Sequence, residues 1–297
     1  MVGLDIRDAT AVAVVVDEQG AIRARADAAG SDLAAAAVQA VERVTPASGG
    51  PPSLTSLGIA TPNPEAPAAA RAIASLASRY PDLFRQRAVI GSGTAAAVAE
   101  SWVGAARGVR DLVYFAVAEH VTAGIIRDGR PVTGAHGRAP AIAWLSLNPV
   151  EREDYRRAGC LEAEVAAVGI VRRLIWRIKA GDRSRVQDMA NGDLGAITVD
   201  LVLDAARNGD GVSISVMRDT AKYLGMAAAN LVAIGDPEVL VLGGIMASAI
   251  DLLLEPTRTE IARRLPASMV DALTVVAASL GADAAAIGAA RHASSSL

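Results

Sequence analysis

The sequence predicts an α/β protein of two lobes facing each other across a cleft. Three observations carry that reading. Residues 2–25 and 112–132 share one layout of strand, short loop, β-branched strand, Asp/Gly turn and third strand, about 110 residues apart, which marks an internal duplication. Each triplet is followed by alanine-rich or amphipathic stretches of helical character, and strands alternating with helices pack as sheets covered by helices. The chain is also large enough: 297 residues, 52% hydrophobic and 21% charged, supply two cores of about 100–150 residues each.

The first helical stretch after the opening triplet runs from Ser31 to Val44 and the next from Thr94 to Arg107, each started by a Ser or Thr of the kind that caps a helix. After the second triplet, Leu161 to Ala180 carries Leu161, Val165, Val168, Val171 and Ile175 at helical spacing and reads as one helix. Residues 230–244 read as a helix end, a Gly-Asp-Pro turn, a buried strand and the pair Gly243-Gly244. Residues 280–293 read as a closing helix with Asp283 near its start, where a carboxylate favours exposed N–H groups. Alanine makes up about a fifth of the chain and aromatics only 3%, so cores built from such small side chains must bring helices close together.

Composition excludes several function classes. No uninterrupted apolar run reaches the roughly 18–20 residues that cross a bilayer. Met1 leads straight into strand-like residues with no secretory pattern, so the expected location is the cytoplasm. The single cysteine, Cys160, excludes an internal disulfide and an all-cysteine metal cage. A net charge of −3 gives no general attraction to nucleic acid.

The segments AAAVAESWVGAARGVRDLVYFAV (95–117), GIIRDGRPVTGAHG (124–137), GCLEA (159–163), NLVAIGDPEVLVLGG (230–244) and LGADAAAIGAA (280–290) together resemble the ROK family of sugar kinases and repressors, nearly end to end. The resemblance implies the two-lobed actin-like, ribonuclease-H-like fold, with duplicated mixed sheets flanked by helices and an interlobe cleft. It implies a smaller lobe at 1–110, completed by a closing helix at 283–297, and a larger lobe at 111–282. It also implies a homodimer.

Position by position, the resemblance also implies losses. The first phosphate loop of the kinases, Asp-x-Gly-Gly-Thr, stands here as Asp5-Ile6-Arg7-Asp8-Ala9-Thr10. Asp5 is kept, both glycines are gone, and Asp8 sets a negative charge where triphosphate would lie. Like charges 4 Å apart at an effective dielectric of about 20 repel by ~4 kcal/mol. The second loop, a Gly-Thr-Gly turn in the family, is Ala118-Glu119-His120 here and adds another carboxylate. Gly243 and Gly244 persist on the adenosine side, where they read either as a residual nucleotide contact or as a tight turn after a buried strand. The catalytic Asp of the family's Asn-Asp pair is matched by Ser92, which is no base near neutral pH. A Gly-Glu-Ile-Gly-His stretch that contacts sugar is replaced by residues 140–144, ending in Trp144, and of the family's sugar contacts only Glu162 remains. The His and three Cys that hold zinc in many members are reduced to Cys160, so no metal is expected and the loop has to be held by packing.

The residues left over support two kinds of reading. His120 and His136 are either solvated loop residues or part of a reworked site with Asp5, Asp8 and Glu119. Trp144 either stacks on a ligand ring or fills the vacated pocket. Cys160 reads as an inert small hydrophobe, and the run Arg172, Arg173, Arg177 and Lys179 as the wet face of a helix. The leading functional expectation is a pseudokinase with no cofactor, binding a small molecule in the cleft or serving a regulatory or scaffold role. An active ATP-dependent sugar kinase with unusual loops, and an enzyme of altered chemistry, are the alternatives. DNA binding is not expected, because the family's repressors add a helix-turn-helix module before the first strand.

Overall fold

Alternating and β-branched residues at both triplets form antiparallel hairpins, and the strands that follow them join in parallel. The computed structural model describes residues 1–45, 56–82 and 88–295. Strands β1 (Val2–Ile6), β2 (Thr10–Val16) and β3 (Ile22–Ala29) are followed by α1 (Leu33–Val44), β4 (Leu57–Thr61), α2 (Pro67–Arg79), β5 (Ala88–Gly91) and α3 (Ser92–Trp102). The second half opens with β6 (Leu112–Val117), β7 (Val121–Arg127) and β8 (Arg130–Pro131). It continues through α4 (Glu153–Ala158), α5 (Cys160–Val165), α6 (Ala167–Lys179), α7 (Val186–Met189), α8 (Val199–Arg207) and α9 (Gly211–Gly235). Strand β9 (Val239–Gly244), helices α10 (Ile245–Ser248), α11 (Ile250–Ala262) and α12 (Ala267–Ala272), strand β10 (Thr274–Ala277) and α13 (Ala284–Ser295) end the described chain.

The two sheets have one topology. The first runs β3-β2-β1-β4-β5 and the second β8-β7-β6-β9-β10. In both, the triplet is antiparallel and the last two strands add in parallel to the strand that opens the triplet. The central strands β1, β4 and β6 are buried along their whole length, as strands covered on both faces must be.

Helix starts follow local chemistry. Asp32, not Ser31, caps α1, accepting the Ala34 and Ala35 N–H groups at 3.0 and 3.2 Å, and so satisfies donors that have no partner inside the helix. The single helix expected over 161–180 is broken. Ala166 is extended between α5 and α6, and the freed Ala167 N–H bonds to the Ala118 carbonyl at 3.1 Å. Val168 therefore faces solvent at 72% exposure, although its spacing suited a buried position. Residues 296–297 of the expected closing helix lie outside the described residues.

The two sheets meet through α3 and α13, which pack on each other; α13 lies on β1, β2 and β4, and α3 on β6 and β7. Their contact faces are alanine and glycine, and Ala95, Ala97, Ala99, Ala286, Ala289 and Ala290 are fully buried. A methyl added to Gly58 would stand 1.8 Å from the Ala289 carbonyl oxygen, and one on Gly288 would stand 1.7 Å from the Ala95 oxygen. Backbone thus lies directly on backbone. Gly58→Ala is expected to destabilise the chain by about 2 kcal/mol or more, since the helix must lift off the sheet. Urea unfolding of the variant at an unchanged slope checks this; a midpoint within error of the parent contradicts it.

Candidate functional site

Where β1 ends, the chain must leave a fully buried strand with a carboxylate, and that charge has to be compensated. Asp5 is 3% exposed. Its Oδ2 accepts the Arg7 Nε–H at 2.7 Å and its Oδ1 accepts the Ser92 hydroxyl at 2.8 Å. Arg7 also donates from Nη2 to the Ala282 carbonyl just before α13. Ser92 is in place because Gly91 closes β5, parallel to β4 beside β1, and α3 begins there. Arg7 and Ser92 thus close a small polar circuit around the one buried acid at the floor of the cleft.

The matching loop of the second sheet, between β6 and β7, carries His120. Its Nδ1 lies 3.2 Å from Glu162 Oε1 and its Nε2 lies 2.9 Å from Asp8 Oδ1. Glu162 uses its other oxygen to accept the Val121 N–H at 3.0 Å. The hydrogen bond to Glu162, with a smaller push from Asp8 against the opposing effect of burial, raises the His120 pKa to about 9. At neutral pH the ring is an imidazolium that donates from both nitrogens, joining the β1–β2 loop to the start of α5. A second pair crosses between the halves: Arg138, from the segment after β8, donates Nε–H to Glu65 at 3.0 Å.

Two adjoining cavities lie between the sheets. The first, about 630 Å³, is lined by many alanines together with Asp5, Arg7, Tyr114, Glu119 and His120. The second, about 500 Å³, is lined by hydroxyl and amide groups of Asn63, Ser92, Thr94 and Thr122, with Glu162 and Trp144. Pro62, Ser92, His120 and Thr122 border both.

The expected residues fall in three groups. Asp5, Ser92, Glu119, His120, Glu162 and Trp144 all line this cleft, and Asp8 joins it through His120. His136 does not. It sits on the exposed turn after β8 and lines neither cavity, so the reading that made it part of a reworked site is corrected. Trp144 neither fills nor closes a pocket, being 57% exposed on the rim of the second cavity. Gly243 and Gly244 have structural work within the chain itself. A methyl on Gly243 would stand 2.2 Å from the Tyr114 hydroxyl, and one on Gly244, at φ +61°, would stand 2.1 Å from the Val117 oxygen. Tyr114 itself is held well above the ordinary phenol pKa, by burial first and then by the charges of Glu100 and Asp5.

The segment expected to be held by packing is held by charge as well. Cys160 is buried, with the Asn148 amide 4.0 Å from its Sγ. Glu164, also buried, accepts from the Tyr155 hydroxyl, from Arg152 at 3.1 Å and from Arg173 at 2.9 Å. Arg172 pairs with Asp154 and packs 5.1 Å from the centre of the Trp176 ring. The run is a wet helix face only in part, since Arg177 and Lys179 stay toward solvent. Arg172 and Arg173 turn inward and tie α6 to α4 and α5.

Sequence reasoning missed Arg7, Tyr114, Glu65, Arg138 and Arg157 as residues of the cleft. Only Arg7 left a local signal, two residues from Asp5. The Glu65–Arg138 pair joins positions 73 apart, and nothing in the linear pattern links them.

The described residues contain no helix long and apolar enough to cross a membrane. The model of the ROK family matches residues 92–295. A glucokinase of Halalkalibacterium halodurans is 30% identical over 195 residues, covering 65% of this chain and 59% of that protein. A xylose repressor of Caldicellulosiruptor bescii is 31% identical over 176 residues, covering 57% of this chain and 42% of that one. The matched part thus spans less than two thirds of either relative. A ROK family glucokinase from Streptomyces griseus, solved with glucose and AMPPNP, superposes at a TM-score of 0.82 with 23% identity, covering 99% of each chain. A ROK family transcriptional regulator, a homologue of the Escherichia coli MLC protein, also reaches 0.82 at 19% identity, covering all of this chain and 78% of its own.

The His120 bridge has a pH signature. Its folded pKa lies above the unfolded value near 6.5, so its stabilisation is complete below about pH 6.5 and is lost as pH rises through about 9. Histidine-selective NMR is expected to show one of three imidazoles titrating near 9, and Asp8→Asn is expected to lower that midpoint. A His120 midpoint near 6.5 in the parent protein rules out the bridge in solution.

Proposed function

This chain belongs to the ROK family, and we propose that it is a catalytically degenerate member, a cytoplasmic sugar-kinase-like protein that binds a carbohydrate-class ligand between its lobes without transferring phosphate. One observation carries this reading. At the position matching the kinase base, Ser92 donates its hydroxyl proton to Asp5, and Asp5 is engaged on its other oxygen by Arg7. A hydroxyl already committed to a carboxylate, in a chain with no acid at 92, takes no proton from a sugar; losing a general base is worth about 10²–10⁴ in rate.

The charges around the first cavity support the same conclusion. Asp5, Asp8 and Glu119 stand against Arg7 and the His120 imidazolium, and both cations are already bonded to carboxylates. A triphosphate needs donors with charge to spare, and it would have to break these pairs to find them. Asp8 acts here less as a bare repelling charge than as one end of a bridge across the phosphate path. Gly244 does line the first cavity, but the missing side chains of Gly243 and Gly244 make room for Tyr114 and Val117 within the chain itself. Relatives named as glucokinases and as a repressor favour a carbohydrate as ligand and give non-catalytic sensing a precedent on this fold. The same reading assigns residues 1–110 with the closing helix 283–297 to one lobe and 111–282 to the other. It takes the assembly to be a homodimer, which sedimentation at micromolar concentration tests; a monomer alone rejects that assignment.

The purified protein is expected to release no ADP from glucose, N-acetylglucosamine or N-acetylmannosamine with Mg-ATP, and calorimetry is expected to detect no micromolar nucleotide binding. A turnover near one per second would overturn the reading. Asp8→Gly with Glu119→Thr is expected to improve Mg-ATP binding by more than either single change, because both charges face one ligand.

A further inference from the structure

Every charged side chain lining the second cavity has a partner except one. Arg138 holds Glu65, and His120 holds Glu162. Arg157 borders the same cavity and, among the described residues, has neither a hydrogen bond nor an ion pair. It stands in the last turn of α4 beside Trp144, for a definite backbone reason. Gly159, at φ +95°, ends that helix, and a methyl on it would lie 2.2 Å from the Ala143 carbonyl oxygen and 3.0 Å from the Trp144 nitrogen. The end of α4 is thus seated directly on the turn that carries Trp144. One rim therefore offers an exposed indole face and an unpaired guanidinium, above a floor of Asn63, Thr94, Thr122 and Glu162.

We propose that the second cavity selects a monoanionic sugar, a hydroxylated ring bearing one carboxylate, with Trp144 stacked on the ring's C–H face and Arg157 paired with the carboxylate. The proposal rests on the carbohydrate-binding reading above and narrows it. The floor groups suit ring hydroxyls, since hydroxyl and amide side chains both donate and accept and each Glu162 oxygen keeps a free lone pair. An aromatic face supplies apolar contact to the ring, and the guanidinium fork matches a carboxylate in two parallel hydrogen bonds. Charge limits the anion to one. The remaining acids and bases of the cavity are already matched, and a phosphate monoester, at about −1.5 to −2 near neutral pH, would leave excess negative charge beside Glu65 and Glu162.

Calorimetric titration of the full chain with glucuronate, galacturonate, glucose and glucose 6-phosphate, at one pH and ionic strength, tests this. At least one uronate is expected to bind roughly tenfold or more tighter than glucose, with glucose 6-phosphate gaining nothing over glucose. Arg157→Gln, an exposed substitution, is expected to bring the uronate down to the level of glucose measured on the same variant. Arg157→Lys is expected to restore part of the preference, and Trp144→Ala to weaken uronate and glucose alike. Glucose binding as tightly as both uronates, or a preference untouched by Arg157→Gln, overturns the proposal and leaves the carbohydrate reading standing. Tighter binding of glucose 6-phosphate overturns the single-carboxylate choice. No binding by any of the four removes both the proposal and the reading it rests on.

Discussion

The seam of alanine and glycine between α3 and α13 is the constraint on which the rest of the architecture depends. Two five-stranded sheets can share a cleft only if something thin separates them, and a helix face bearing methyl groups, set against glycines in the strands, is close to the thinnest cover a sheet can have. The high alanine content and scarcity of aromatics follow from this geometry. Because α3 starts where β5 ends and runs along the seam, Ser92 arrives beside Asp5, and the β6–β7 loop with His120 arrives opposite the β1–β2 loop with Asp8. The positions of the polar groups in the cleft are set by backbone contact rather than by their own attractions.

Those polar groups form a nearly closed set. Asp5 is matched by Arg7 and Ser92, His120 by Asp8 and Glu162, and Glu65 by Arg138. Each pairing consumes hydrogen-bonding capacity that a phosphate donor would need, and all but the local Asp5–Arg7 pair link distant segments of the chain. The price is selectivity of an unusual kind: a cleft whose charges satisfy one another offers little to a highly charged ligand, and recognition falls to the hydroxyl and amide floor and the few groups left unmatched.

Much of the fold was legible because it was written in short-range pattern. The two strand triplets, their turns and the strand before Gly243-Gly244 could each be read from alternation and turn residues, and the resemblance carried them into one topology. Two kinds of feature were not legible. Long-range pairs such as Arg7 to Ala282, 275 residues apart, and Asp8 to His120, 112 apart, leave no local trace. Local periodicity also misled where tertiary contact overrode it. Apolar spacing over 161–180 suggested one helix, but the Ala118 carbonyl takes the Ala167 N–H and breaks it, turning Val168 outward. The arginines of α6 looked solvent-facing by composition, yet Glu164 and Asp154 draw two of them inward. Trp144 was weighed as stacking residue or filler, and its exposure rules out the filler.

The cover that α13 provides has a consequence for biosynthesis. Strands β1, β2 and β4 are synthesised well before α13, the helix that completes one of their faces. At about 5–20 residues per second, that apolar face waits many seconds for its partner, while the opposite face is already covered by α1 and α2. The second half can bury its own helices against its own sheet earlier. The β1–β5 sheet therefore completes its second face only once α13 has been made, and until then that face is open to a chaperone.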